Sequence, residues 1–156
     1  MRFLADGMLG KLTRWLRMLG QDVEYSTQLN DNQLLEKTKS ENRILLTRDL
    51  ELYQRAMARG LETFYVQGKD EAERLAELSK RFGLQLKMDM NASHCPRCNT
   101  KLNPIKKEQT KNEIEKNTYL YYEEFWKCPN CGHVYWQGAH WKQIQQTLAQ
   151  AELKRK

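Results

Sequence analysis

Four cysteines and three aspartates are the residues in this sequence best placed to do chemistry. Cys95-Pro96-Arg97-Cys98 and Cys128-Pro129-Asn130-Cys131 form two CxxC pairs separated by 29 residues. A two-residue gap lets one turn present both sulfurs to a single ion, and four thiolates suit tetrahedral Zn(II). Four protein ligands leave no coordination site for water, so the expected zinc is structural and its binding energy is folding energy. A disulfide pairing is the alternative, and it requires an oxidising compartment. A redox CxxC would open a helix after a strand, and neither pair does so. His94 and His133 adjoin the knuckles and read as outer or exposed groups.

Asp6 and Asp49 each close a short apolar run, Phe3-Leu4-Ala5 and Ile44-Leu45-Leu46-Thr47, while Asp31 starts the helical pattern that feeds the second run. In an open parallel sheet, sites form outside the carboxyl ends of the strands, so these three carboxylates are candidates to converge at one edge. Clustered like charges raise one another's pKa, and a hard divalent cation with oxygen ligands, Mg(II) or Mn(II), removes that cost. Two such ions can clamp the attacking and leaving oxygens of a phosphodiester. Capping alone is the competing reading for Asp31 and Asp49, since each stands where an N-cap is expected. Asp6, followed by Gly7, has no clear capping need. Lys11, Arg14 and Arg17 recur at three-residue steps, and together with Thr47 and Arg48 they are the candidates for positioning a substrate's phosphates. A solvated outer face is the plainer reading of that basic stripe.

The elements that must position these residues alternate. Arg2 to Ala5 reads as a buried strand. Leu9, Leu12, Trp15, Leu16 and Leu19 recur at helical spacing, closed by Gly20. Asp22 to Tyr25 reads as a second strand, and a helix follows through Leu34, Leu35 and Thr38. Arg43 to Thr47 is a continuous apolar strand of the kind a parallel sheet buries on both faces. A helix to Arg59, a strand at Thr63 to Val66 and a helix with stripe Ala72, Leu75, Ala76, Leu78 and Phe82 complete an α/β pattern with a parallel sheet. Beyond it, Lys101 to Lys116 reads as a mobile lysine-rich loop, Tyr119 to Trp126 as a strand, and Ile144, Leu148 and Ala151 as the stripe of a last helix able to dock on the first unit.

The run from Phe3 through Asp6-Gly7-Met8-Leu9-Gly10-Lys11-Leu12-Thr13-Arg14-Trp15-Leu16-Arg17, with Arg43-Ile44-Leu45-Leu46-Thr47-Arg48-Asp49, resembles the mut-seven C-terminal ribonuclease domain family. The cysteine segment, with Phe125-Trp126-Lys127-Cys128 and Val134-Tyr135-Trp136, resembles that family's zinc ribbon. The resemblance implies a PIN-like fold in which Asp6, Asp31 and Asp49 are the catalytic acids. PIN-like nucleases carry a fourth acid. Asp22 and Asp70 are the candidates here, and neither stands in the expected context.

The chain of 156 residues has a formal charge of +6, 40% hydrophobic and 29% charged residues, which is globular composition. No apolar run approaches the roughly 20 residues that cross a bilayer, so no membrane association is expected. An acid at position 6 interrupts any signal core, and the expected compartment is the cytoplasm. Residues 1–90 carry 15 basic and 14 acidic side chains, whereas residues 91–156 carry 11 and 6. The expected organisation is therefore a PIN-like α/β domain over 1–90, a zinc ribbon over 91–140, and a C-terminal helix and basic tail over 141–156. The expected function is metal-dependent hydrolysis of RNA, whether tRNA, rRNA or mRNA, with the zinc ribbon aiding nucleic-acid binding and a protein partner as a further candidate. The rival is a non-catalytic RNA- or protein-binding module on the same scaffold.

Overall fold

The computed structural model describes residues 1–156. The first part alternates strand and helix: β1 (Arg2–Ala5), α1 (Gly10–Met18), β2 (Asp22–Tyr25), α2 (Asp31–Ser40), β3 (Ile44–Thr47), α3 (Leu50–Ala58), β4 (Thr63–Tyr65) and α4 (Glu71–Phe82). The strands form one parallel sheet in the order β2-β1-β3-β4. Alternate side chains point to opposite faces, and both faces are covered. Phe3, Leu46, Leu12, Leu16, Leu75 and Leu78 build the larger core beneath α1 and α4. Leu4, Leu45, Leu34, Leu35 and Leu52 build the smaller one beneath α2 and α3. The result is a three-layer α/β/α domain: the periodicity predicts the α/β alternation with a parallel sheet, and the three-layer PIN-like arrangement is what the family resemblance implies. In register, Ala5 faces Tyr25 on one side and Leu46 on the other, so Asp6 emerges level with the ends of both neighbours.

The second part adds a three-stranded antiparallel sheet, β5 (Asn103–Ile105), β6 (Phe125–Lys127) and β7 (Val134–Tyr135), with helix α5 (Lys116–Tyr121) between β5 and β6. Two sequence expectations fail here. The segment 101–116 is not a loop: it supplies edge strand β5, where Pro104 is tolerated because an edge needs no outward donor, and a 3₁₀ turn at Lys107–Thr110. The aromatic run from Tyr119 is not one strand either. β6 finds a partner only from Phe125, opposite Ile105, and residues 116–121 close a helix instead, with the Tyr119 amide donating to the Glu115 carbonyl at 3.0 Å. β-propensity without a partner strand did not prevail.

Helix α6 (Trp141–Arg155) returns to the first part and packs on α4. Its Leu148 and Ala151 are buried in the larger core, as the stripe predicts. Gly20 ends α1 with φ +90, and a Cβ there would lie 3.0 Å from the Ala92 carbonyl, so glycine allows the helix end to meet the connector into the cysteine part.

Candidate active site and metal centre

The four cysteines converge: their sulfurs all lie within 4.8 Å of one another, with Cys95 to Cys131 at 3.7 Å and Cys98 to Cys128 at 3.3 Å. Zn–S bonds of about 2.3 Å in a tetrahedron need sulfurs about 3.8 Å apart, so the set fits a structural metal such as zinc. Both distances are far beyond the roughly 2.05 Å of a disulfide. Tight turns hold the knuckles, as when the Cys131 amide donates to Cys128 Sγ at 3.4 Å. Burial opposes ionisation at Cys98, yet hydrogen bonds centred on Thr100 bring its thiol down to about 6, while burial pushes Cys128 up to about 11. Around them Met90, Leu102 and Trp126 form a small core that includes Cys95 and Cys128 themselves.

The carboxyl edge of the parallel sheet holds the aspartates. Asp6, directly after β1, is buried at 5% exposure, and its Oδ1 accepts from the Met8 amide at 2.9 Å. Its Oδ2 accepts from the Thr47 hydroxyl, which in turn accepts from the Asp49 amide at 2.9 Å. One buried threonine therefore links the two strand ends. Asp49 is exposed and caps α3, accepting from the Leu52 amide at 3.2 Å. Neither Asp6 nor Asp49 pairs with any basic side chain. Asp31 differs. Asn30, not Asp31, caps α2, closing a capping box with Gln33, and Asp31 sits in the first turn with its carboxylate 3.5 Å from Arg55. The three aspartates do not form a compact trio of the kind the cysteines form.

The basic candidates separate in the same way. Lys11 is exposed and its charge is felt at Glu71. Arg14 is exposed and pairs with no carboxylate. Arg17, expected to meet phosphate, is 7% exposed and ties the two parts together: its Nε donates to the Val23 carbonyl at 2.9 Å and its Nη1 to the Pro96 carbonyl at 3.0 Å. Thr47, expected beside the substrate, is fully buried and orients Asp6 instead. Arg48 donates to the carbonyls of Val66 and Gly68, joining the ends of β3 and β4.

Of the two candidates for a fourth acid, Asp22 starts β2 at the opposite edge. Burial alone would raise its carboxyl, but hydrogen bonds from Arg43 and Asn99 and the charges of Arg43 and Arg2 bring it below the usual range. Asp70 caps α4. The sequence reading missed Glu71, in the first turn of α4 at the carboxyl edge, where an acid looks like ordinary dipole compensation. Its Oε2 is buried without a hydrogen-bond partner, and burial raises its carboxyl despite the opposing charges of Arg74 and Lys11.

The Mut7-C RNAse domain family matches this chain over residues 1–148 of 156. The chain belongs to that family. Comparison with curated proteins and with solved structures gives no match. Membership of an RNase family assigns a nuclease-type function, with nucleic acid as the matching partner class. No helix is long and apolar enough to cross a membrane.

Proposed function

We propose that this Mut7-C chain is a metal-dependent ribonuclease, cutting within RNA, whose carboxyl edge at Asp6 and Asp49 is the catalytic site and whose four cysteines hold structural zinc. The observation that carries the reading is Asp6. A buried carboxylate is costly unless a cation or enough donors compensate it. Asp6 has two hydrogen-bond donors and no basic partner, and the same threonine that orients it fixes the start of the Asp49 segment. An oxygen-only donor set at adjacent strand ends suits Mg(II) or Mn(II). Such an ion would supply charge neutralisation at the scissile phosphate and a water of lowered pKa.

The chain's own groups do the rest. Thr47 and the Met8 amide hold both Asp6 oxygens in one orientation, and the capping bond to Leu52 leaves Asp49 a second oxygen for a ligand. The first turn of α1 carries no acid and its cap makes no side-chain hydrogen bond, so its amides face the edge with a positive field suited to phosphate. Lys11, one residue into that helix, adds an exposed positive charge. Asp31 can join only by leaving Arg55.

The test is cleavage of a labelled structured RNA in Mn(II) by the parent protein, Asp6→Asn and Asp49→Asn. Asn preserves the cap at 49, circular dichroism checks that each variant is folded, and each folded variant is expected to lose about 100-fold or more in rate. Cleavage by the parent no faster than by either variant overturns the reading. The pairing of Asp31 with Arg55 favours the second reading, a binding module without turnover, which requires RNA affinity in all three proteins and cleavage in none.

A further inference from the structure

The cysteine part's net positive charge suggests that its lysines grip nucleic acid, but Lys107 is paired with Glu123 at 2.9 Å and Lys127 with Glu113 at 2.8 Å. Lys101, Lys106, Lys111 and Lys116 are exposed and unpaired but border no cleft that reaches the sheet's carboxyl edge, whereas a second set of unpaired cations does. A cleft of about 560 Å³ runs between α1 and the ribbon, with Arg14 and Arg17 on one wall and Arg97 of the first knuckle and His133 on the other. Tyr25 and Tyr135 also line it, and no acidic residue does. Arg14 and Arg97 are exposed and form no ion pair, while the Arg97 guanidinium leans on His133 Nδ1 at 3.1 Å, and the His133 ring stacks obliquely on Tyr135 at 4.7 Å. The cleft reaches the catalytic edge: Tyr25 ends β2 beside Ala5, and its hydroxyl donates to the Gly7 carbonyl at 3.0 Å.

We infer that this inter-unit cleft is the binding track for single-stranded RNA, with Arg14 and Arg97 on successive phosphates and the Tyr25, His133 and Tyr135 rings offered to unpaired bases. The inference rests on the ribonuclease reading for the choice of RNA. Cations interleaved with aromatic rings bind unpaired strands through phosphate charge and base stacking together. A duplex keeps its base faces stacked internally, so it cannot use the rings. Both walls are needed, which gives the ribbon a role beyond its own folding: it completes a groove that α1 alone leaves open. The anchoring of Arg17 to Val23 and Pro96 fixes the separation of the walls.

The experiment is fluorescence anisotropy of the full-length zinc-loaded protein with a labelled single-stranded RNA and a duplex RNA of equal length, without Mg(II) or Mn(II), between about 50 and 200 mM salt. The parent is expected to prefer the single strand. Arg14→Ala and Arg97→Ala should each weaken binding roughly tenfold. Each should also flatten the salt dependence by about 0.7 in the log–log slope. Arg97 lies beside Cys98, so zinc content is measured for each variant, and Arg14→Ala, on α1 and outside the cysteine part, carries the test if Arg97→Ala loses metal. Unchanged affinity and slope in folded variants, equal affinity for the duplex, or an equal loss on Lys80→Ala, outside the cleft, overturns the inference. Weakened binding by cleft variants of a parent that never cleaves would uphold the cleft while removing the nuclease reading. Normal binding and cleavage by those variants would do the reverse.

Discussion

The two parts of this molecule are held together by different physics. The parallel sheet buries cores of 16 and 6 residues on its two faces, whereas the cysteine part has a core of five, two of them cysteines of the candidate metal centre. A segment with so little apolar burial cannot by itself offset its conformational entropy, and a metal ion held by the four cysteines would compensate. The chemistry divides along the same line. The cysteines are brought to one point by tight turns of adjacent residues, while the acids stand on separate elements, and their convergence depends on strand register and on what each cap or ion pair leaves free. Where ligands sit two residues apart, sequence is nearly geometry; where they sit on different elements, it is only topology.

That contrast makes zinc removal the harshest test. Cys128→Ser, or chelation of the parent, should unfold the ribbon at a cost of several kcal/mol while the parallel sheet retains its helical circular dichroism. A single transition that takes both parts together would show that they are one cooperative unit. Next in size is Arg17→Ala, which removes a buried guanidinium donating to both parts and leaves two carbonyls without partners. The expected loss is about 2–4 kcal/mol, roughly 5–15 °C in Tm, on thermal unfolding. A loss under about 0.5 kcal/mol would mean that the two parts stand independently.

Two smaller effects concern the edges of the sheet. Asp22 has a folded pKa below its unfolded value, so its contribution is present above about pH 4 and is lost as pH falls through the folded pKa. Asp22→Asn should therefore shallow the acid unfolding curve below pH 4 and lower stability at pH 7. Glu71 has the opposite sign. Its folded pKa is raised, so protonation stabilises the fold at low pH, and that benefit is lost as pH rises through the folded value. Glu71→Gln should raise Tm by about 1–3 °C at pH 7 and leave it unchanged near pH 4, measured by differential scanning calorimetry.

The strands were legible because Phe3-Leu4-Ala5 and Ile44-Leu45-Leu46-Thr47 are apolar on both faces and stop at a charge, and the acids after them follow from that. α4 and the docking of α6 were legible from their stripes. The cap of α2 was misassigned although its signal was present: Gln33 stands three residues after Asn30, not three after Asp31. Arg17 was not legible. Helical periodicity sets it beside the buried Leu16 but is silent on what lies 79 residues away, and Pro96 is its partner there. Glu71 was hidden by its ordinariness, since an acid in a first turn needs no further reason. In the ribbon, aromatic residues suggested a strand, and only partner geometry decides whether such a run pairs or coils.

One consequence of the Arg17 and Asn99 contacts reaches past the site. β2 is an outer strand, and Val23 turns both its amide and its carbonyl away from β1. The amide donates to Asn99 Oδ1 at 3.0 Å and the carbonyl accepts from Arg17. Side chains thus occupy the positions that another strand would use, and a flank open to templated β-pairing is sealed. The knuckle is in this sense a guard against self-association, because without it the Val23 amide on the outer strand is free to pair with another chain.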